Sequence, residues 1–216
     1  MTHSSRWTHC WPLLVATSLA STAIADDNRT ASAVFAAGCF WCVEEAYDKV
    51  QGVTATTSGF SGGDVPHPSY EQVVAGGTGH TEVVKVEYNP EVVDYGTLLH
   101  VFWRNVDPFA ENRQFCDQGA SYRSALFPMD AQQRRLAETS REALAQRFDR
   151  EIATEIHSFE AFYPAAEYHQ DYYDKNPLRY RFYKSACGRS DRLEEIWGEE
   201  AEASTGPEPQ KDPKQS

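Results

Sequence analysis

The run Gly38-Cys39-Phe40-Trp41-Cys42 puts two thiols three residues apart, directly after a glycine. A thiol attacks only as thiolate, and a free cysteine is mostly protonated at neutral pH. Ser32 to Ala37 is a small apolar run that reads as a strand, and Gly38 breaks it. From Cys39 the apolar positions Phe40, Val43, Ala46, Tyr47 and Val50 recur at helical spacing, and Gly52 ends the run. The pattern predicts Cys39 at a helix N-terminus. Unpaired N–H groups and the positive end of the helix dipole there favour thiolate over thiol. The chemistry this suggests is redox or nucleophilic work by sulfur. Three blander readings accompany it. A buried, inert cysteine fits a helix start equally well. Half of a zinc site would need a second ligand pair, and Cys116 and Cys187 stand alone, so no metal is expected. A thioredoxin-like dithiol fits the strand-then-helix context.

The elements around this run are mixed in type. Val53 to Ser61 alternates loosely and ends at Gly62-Gly63, which predicts a strand and turn. Ser69 is placed to cap a short helix through Val74, and Glu82 to Tyr88 alternates as a strand. Asp94 caps a helix running through Trp103, Tyr122 to Phe127 reads as a strand, and Asp130 starts the clearest helix, to about Arg147. Ile152 to Phe159 reads as a further strand, and the aromatic-rich stretch from Tyr163 to Tyr173 as partly helical. There is neither a regular strand–helix alternation nor a Gly-rich phosphate fingerprint. The fold expected is α+β: one two-layer domain over residues 33–187, with a mixed central sheet flanked by helices and long irregular loops. A C-terminal segment, 188–198, and a disordered acidic tail, 199–216, would follow it.

Length and charge narrow the function. The 216 residues are 41% apolar and 12% aromatic, with a formal net charge of -12, which predicts a packed, soluble protein. Such acidity argues against nucleic-acid and membrane-surface partners. The start of the chain reads differently. Arg6, the short apolar stretch from Trp11 to Ala20, and Ala23-Ile24-Ala25 before Asp26-Asp27 have the form of a secretory signal peptide over residues 1–25. A short extension, 26–32, would precede the domain, and the mature protein is expected in the periplasm, as a monomer. Cys10 would leave with the leader, so Cys39, Cys42, Cys116 and Cys187 remain. Four cysteines in a secreted chain also fit two structural disulfides.

Beyond the C-x-x-C spacing, four motifs occur in order: Gly38-Cys39-Phe40-Trp41, Thr78-Gly79-His80-Thr81-Glu82, Tyr122-Arg123-Ser124-Ala125 and Tyr168-His169-Gln170-Asp171-Tyr172. Together they resemble the A type of methionine sulfoxide reductase, peptide-methionine (S)-S-oxide reductase, from about Ala33 to Tyr183. The resemblance implies that Cys39 attacks the sulfoxide sulfur and that Glu82 protonates its oxygen, since oxide is a poor leaving group. Apolar surroundings would keep that carboxyl protonated. Tyr70, Asp117 and Tyr122 match the polar residues around the sulfoxide oxygen, and Phe40 and Trp41 match the pocket for the methyl group. His80 and His169 are left out of the catalytic set. Cys39 would become a sulfenic acid, and a second thiol would condense with it to a disulfide.

The resemblance further implies a resolving cysteine near the C-terminus, where Cys187 lies beside Gly188. No bound cofactor is required, and a thioredoxin-like dithiol protein would supply electrons for substrates that are free methionine sulfoxide and oxidised proteins. This chain departs from the family pattern at Cys42, where Gly is usual, at Gln118, where His is frequent, and in having a single C-terminal cysteine. Cys187 therefore ranks ahead of Cys42 as partner of Cys39, with Cys42 a possible relay thiol and Cys116 without a role. The competing functions are a secreted thiol–disulfide oxidoreductase using Cys39 and Cys42, and a binding domain with two disulfides.

Overall fold

A computed structural model describes Met1 and residues 30–203. The expected leader, and the expected tail from residue 204 onward, lie outside the described residues. The elements in chain order are β1 (Ala31–Ala37), α1 (Phe40–Asp48), β2 (Val53–Ser61), α2 (Tyr70–Ala75), β3 (Thr81–Tyr88) and α3 (Tyr95–Arg104). There follow β4 (Arg113–Gln114), β5 (Asp117–Gln118), β6 (Ser124–Leu126), α4 (Ala131–Phe148), β7 (Glu155–Ile156), β8 (Tyr163–Pro164), α5 (Tyr172–Lys175), α6 (Pro177–Ala186) and α7 (Arg189–Trp197).

Six strands form one sheet in the order β7-β6-β1-β3-β2-β8. Only β6 and β7 run parallel, so the sheet is mixed and the fold is α+β. Strand β1 lies inside the sheet, paired antiparallel to β3 and β6. Its run from Ala33 to Ala37 is buried on both faces, which explains why it reads as continuous apolar sequence. Phe35 and Ala37, with Val84, Val86 and Tyr88 of β3, face the main core, which also takes Leu98 and Phe102 of α3 and Leu144 of α4. Val34, Ala36 and Val83 face a smaller cluster with Ala125 and Phe127, against which Phe159 and Phe162 pack. Asp94 and Asp130 cap α3 and α4 by accepting backbone N–H bonds, and Ser69 forms a full capping box with Gln72 on α2.

Two predicted strands are shorter in the structure, and two observed helices were not predicted. The strand expected over residues 122–127 is β6 alone, preceded by a 3-10 turn at Ala120–Tyr122. The strand expected over residues 152–159 contracts to β7, because pairing with β6 holds only Ala125↔Glu155 and Leu126↔Ile156. Helices α6 and α7 were not anticipated. They carry too few apolar residues for a clear amphipathic stripe, yet Tyr180, Leu193 and Trp197 are buried. The tail expected from residue 199 starts as structure. A 3-10 turn at Gly198–Glu200 brings Glu200 onto Arg104 and Arg147, and Glu202 N–H donates to the Arg104 carbonyl.

Candidate active site

The end of β1 delivers Cys39 to the N-terminus of α1. Gly38 makes the turn at φ +82, and an added Cβ would lie 2.5 Å from the Gln114 side chain, so only glycine fits. Cys39 is the N-cap residue, and its carbonyl accepts from Cys42 N–H at 3.1 Å. Its side chain makes no capping bond. The first free N–H of the helix, that of Phe40, donates instead to Glu82 Oε2 at 2.9 Å. The N–H expected to favour a thiolate thus bonds the Glu82 carboxyl group instead. Burial then dominates at Cys39. It pushes the thiol well above its ordinary pKa, and Cys42 and Glu82 push the same way. The sequence-based expectation of a pre-formed thiolate is corrected: the resting group is a thiol in a dry site.

Glu82 is the second residue of β3, opposite Phe60 of β2, and is 1% exposed. Burial pushes its carboxyl up to about 8, against the lowering effect of the Phe40 N–H, with Asp117 and Cys42 adding to the rise. At neutral pH it carries a proton, which is the state a donor to an oxide needs. Tyr70, on the first turn of α2, and Tyr122, in the 3-10 turn, lie within hydrogen-bond reach of each other. Both phenols are raised, by burial first and by Glu82 next. Asp117, the first residue of β5, accepts from Tyr183 Oη at 2.5 Å. Its carboxyl is raised by burial and held back by that bond.

The apolar wall is aromatic. Trp41 stacks on Tyr172 with centroids 3.7 Å apart, and its indole N–H donates to His169 Nδ1 at 3.3 Å. The His169 ring also lies 5.1 Å from Phe40 and 4.4 Å from Tyr70. With Nδ1 accepting, Nε2 carries the hydrogen, and it is buried without a partner among the described residues. Gln170 pins this segment to β2 by taking the place of a strand: its amide bonds both the N–H and the carbonyl of Ser58. His169, Tyr172 and Tyr183 therefore belong to the site. The motif from Tyr168 to Tyr172 was the signal for the first two. Tyr183 had none. His80 plays another part. Its Nδ1 accepts from Gly63 N–H at 3.1 Å and its Nε2 donates to the Val65 carbonyl at 2.8 Å, which holds the loop after β2.

Phe40 and Trp41 follow Cys39 in the chain, Glu82 holds the Phe40 N–H, and Tyr70, Tyr122 and Asp117 lie close enough to Glu82 to interact with its charge. The cysteines do not pair as ranked. Cys39 and Cys42 are both buried free thiols within hydrogen-bond reach of each other. Cys187, placed first as partner of Cys39, is bonded to Cys116, 71 residues away, with Cα atoms 4.9 Å apart. Cys116 sits in the two-residue turn between β4 and β5, and Cys187 caps the C-terminal end of α6. Gly188 is a left-handed junction between α6 and α7. A hydrogen bond from Cys39 draws Cys42 below its ordinary pKa against burial, and the Arg189 guanidinium and Lys184 ammonium lower it further.

The family model for peptide methionine sulfoxide reductase matches residues 31–201. The chain belongs to this family. It is 46% identical over 168 residues to peptide methionine sulfoxide reductase MsrA of Ligilactobacillus salivarius, covering 77% of this chain and 97% of that one. It is also 46% identical over 171 residues to MsrA 2 of Caulobacter vibrioides, covering 79% and 87%. Among solved structures, the reduced form of Mxr1 from Saccharomyces cerevisiae superposes with a TM-score of 0.64 at 37% identity, covering 70% of this chain and 88% of that one. Methionine sulfoxide reductase A of Corynebacterium diphtheriae gives 0.63 at 33%, covering 69% and 76%. The chain is accordingly an oxidoreductase, and its matched region takes in every site residue described above.

Proposed function

We propose that this reductase converts the S epimer of methionine sulfoxide, free and in oxidised proteins, to methionine. The observation that carries the reading is the buried Glu82 on the N–H of the residue after Cys39, where burial pushes its carboxyl up to about 8. The sulfoxide oxygen would face Glu82, Tyr70 and Tyr122, and the methyl group would face Phe40 and Trp41. A thiol beside a neutral acid is inert until an oxide arrives. The Cys39 sulfur then attacks, Glu82 hands its proton to the oxygen, and the thiol proton restores the balance. Oxygen ends on Cys39 as a sulfenic acid, and the substrate sulfur is reduced by two electrons to a thioether.

Cys42 then condenses with the sulfenic acid, forming the Cys39–Cys42 bond and releasing water. Its nearness to Cys39 and its lowered pKa support it as resolver ahead of Cys187. A thioredoxin-like dithiol protein supplies the electrons, in the periplasm if the leader acts as its sequence suggests. A general thiol–disulfide oxidoreductase is less well supported, because both thiols lie under the Tyr180 and Tyr183 side chains of α6. The test is turnover of the separate sulfoxide epimers by wild type and Cys39→Ser. Consumption of the S epimer alone, lost in the variant, is expected. Equal rates on both epimers, or turnover by Cys39→Ser, would sink the reading.

A further inference from the structure

We infer that Cys116, Asp117 and Cys187 of the reduced chain form a binding site for a zinc ion. The inference is independent of the sulfoxide chemistry proposed above. In the sequence the two cysteines stand 71 residues apart, too isolated to read as metal ligands. The fold supplies what the spacing lacks. The turn between β4 and β5 carries Cys116 and Asp117 to the end of α6, which Cys187 caps. The two sulfurs and one Asp117 oxygen then all lie within 4.8 Å of one another. Zinc holds a thiolate at about 2.3 Å and a carboxylate oxygen at about 2.1 Å, so neighbouring ligands of a tetrahedral ion stand roughly 3.5–4 Å apart. Cys116 Sγ and Asp117 Oδ1 are already 3.8 Å apart.

The donor set selects the ion. Wholly sulfur sites suit copper(I), wholly oxygen sites suit magnesium and calcium, and zinc accepts two thiolates with a carboxylate. Three protein ligands leave a fourth position open, and Cys116 is exposed, so water has access to it. The carboxylate is oriented from behind. Tyr183 Oη donates to Asp117 Oδ2 at 2.5 Å, which leaves Oδ1 toward Cys116. A bond of this kind to the far atom of a ligand fixes its angle and raises affinity. The ligands bring three negative charges, and zinc cancels two. The Arg189 guanidinium faces the third: it lies 4.5 Å over the ring of Phe115, the residue before Cys116, anchored on the Asn105 carbonyl.

Disulfide and zinc exclude each other, because only thiolates ligate. A dithiol opens the Cys116–Cys187 bond to two thiols and leaves as its own disulfide. With Cα atoms 4.9 Å apart, rotation about the Cα–Cβ bonds brings the freed sulfurs to the zinc spacing. Zinc takes both as thiolates and their two protons pass to solvent. The redox state of the pair thus decides whether the ion is held.

The probe is Co²⁺, whose visible bands report tetrahedral geometry and whose sulfur-to-metal charge transfer reports thiolate ligands. Protein reduced with a phosphine, then freed of it, is titrated with cobalt in the absence of air. Both signals should rise to one equivalent per chain and collapse when zinc is added. Protein with the Cys116–Cys187 bond intact should give neither. Cys187→Ser should lose about half of the charge-transfer intensity or more. Tyr183→Phe should bind cobalt about tenfold more weakly. A chain carrying both Cys39→Ser and Cys42→Ser should bind as wild type does. No thiolate–cobalt signal in the reduced protein overturns the site. So do signals that survive Cys187→Ser and vanish in the double variant, which would assign the ion to the helix-start thiols. A second measurement needs no variant. Zinc should slow iodoacetamide at Cys116 and Cys187 by about tenfold or more and leave Cys39 and Cys42 unchanged by peptide mapping. Protection of all four cysteines alike, or of none, also overturns the site, and sulfoxide turnover enters none of these readings.

Discussion

Two cysteine pairs in this molecule differ in almost every physical respect. Cys39 and Cys42 are neighbours in sequence, held by one helix start, buried and free. Cys116 and Cys187 are 71 residues apart, brought together by a hairpin turn and a helix end, accessible and bonded. The first pair shares its burial with Glu82, and the same burial has opposite uses for the two groups. It pushes the carboxyl toward its protonated form, ready to give up a proton, and it pushes the thiol away from its reactive thiolate form. Exchange with another protein asks for the reverse, a sulfur at the surface. Dryness and access do not fit one pair of atoms, and here the dry thiols and the accessible sulfurs are two different pairs.

The largest expected effect tests the dry side. Glu82→Gln keeps the shape and the acceptor for Phe40 N–H but cannot donate an acidic proton. S-sulfoxide turnover should fall by about 10²- to 10⁴-fold. Wild-type activity should decline as pH rises through about 8, because the donor loses its proton there. The variant should lack that limb, and an unchanged limb would assign the titration to another group. A smaller effect compares the pairs directly. In fully reduced protein at pH 7, iodoacetamide should modify Cys116 and Cys187 at least about tenfold faster than Cys39, as burial slows a thiol that is also hard to ionise. Equal rates by peptide mapping would dissolve the contrast between the pairs.

What could be read in advance follows the same division. The strand-Gly-helix signal at Gly38 was local, set by period and by one glycine, and it placed Cys39 correctly. Asp94, Asp130 and Ser69 as caps were equally local. The thiol's state was misread because it depends on Glu82, 43 positions later in the chain, taking the Phe40 N–H. The Cys116–Cys187 pairing was not read for a similar reason, since nothing near either cysteine announces the other. Helices α6 and α7 escaped because their inward contacts are sparse: Tyr180 on one, Leu193 and Trp197 on the other. The family resemblance pointed to what periodicity could not, Glu82, Asp117 and Tyr122 as residues of one site.

The smallest effect asks whether a buried carboxyl is enough to mark function. Glu44 lies on the same helix as Cys42 and is 0% exposed, close to Glu82 in burial. Its Oε2 accepts from Asp171 N–H at 3.0 Å, while Oε1 and the Ser58 hydroxyl are buried without partners among the described residues. Burial, then Asp48 and Asp171, push its carboxyl from 4.5 to about 7. The folded chain therefore binds more protons than the unfolded one between these values. Stability falls as pH rises through that window, and the whole cost is present above about 7. Glu44→Gln keeps an acceptor for Asp171 and adds an N–H donor for Ser58 Oγ, with nothing left to titrate. Its Tm should exceed wild type by roughly 2–4 °C at pH 8, for about 1 kcal/mol in a domain of this size, and match it near pH 5. Glu82 titrates in the same direction, so the slope should shrink without vanishing. Equal losses of Tm from pH 5 to 8 in both proteins would mean that the ionised Glu44 is already satisfied. A rise in Tm with unchanged turnover would separate a carboxyl that is only buried from one aimed at the sulfur.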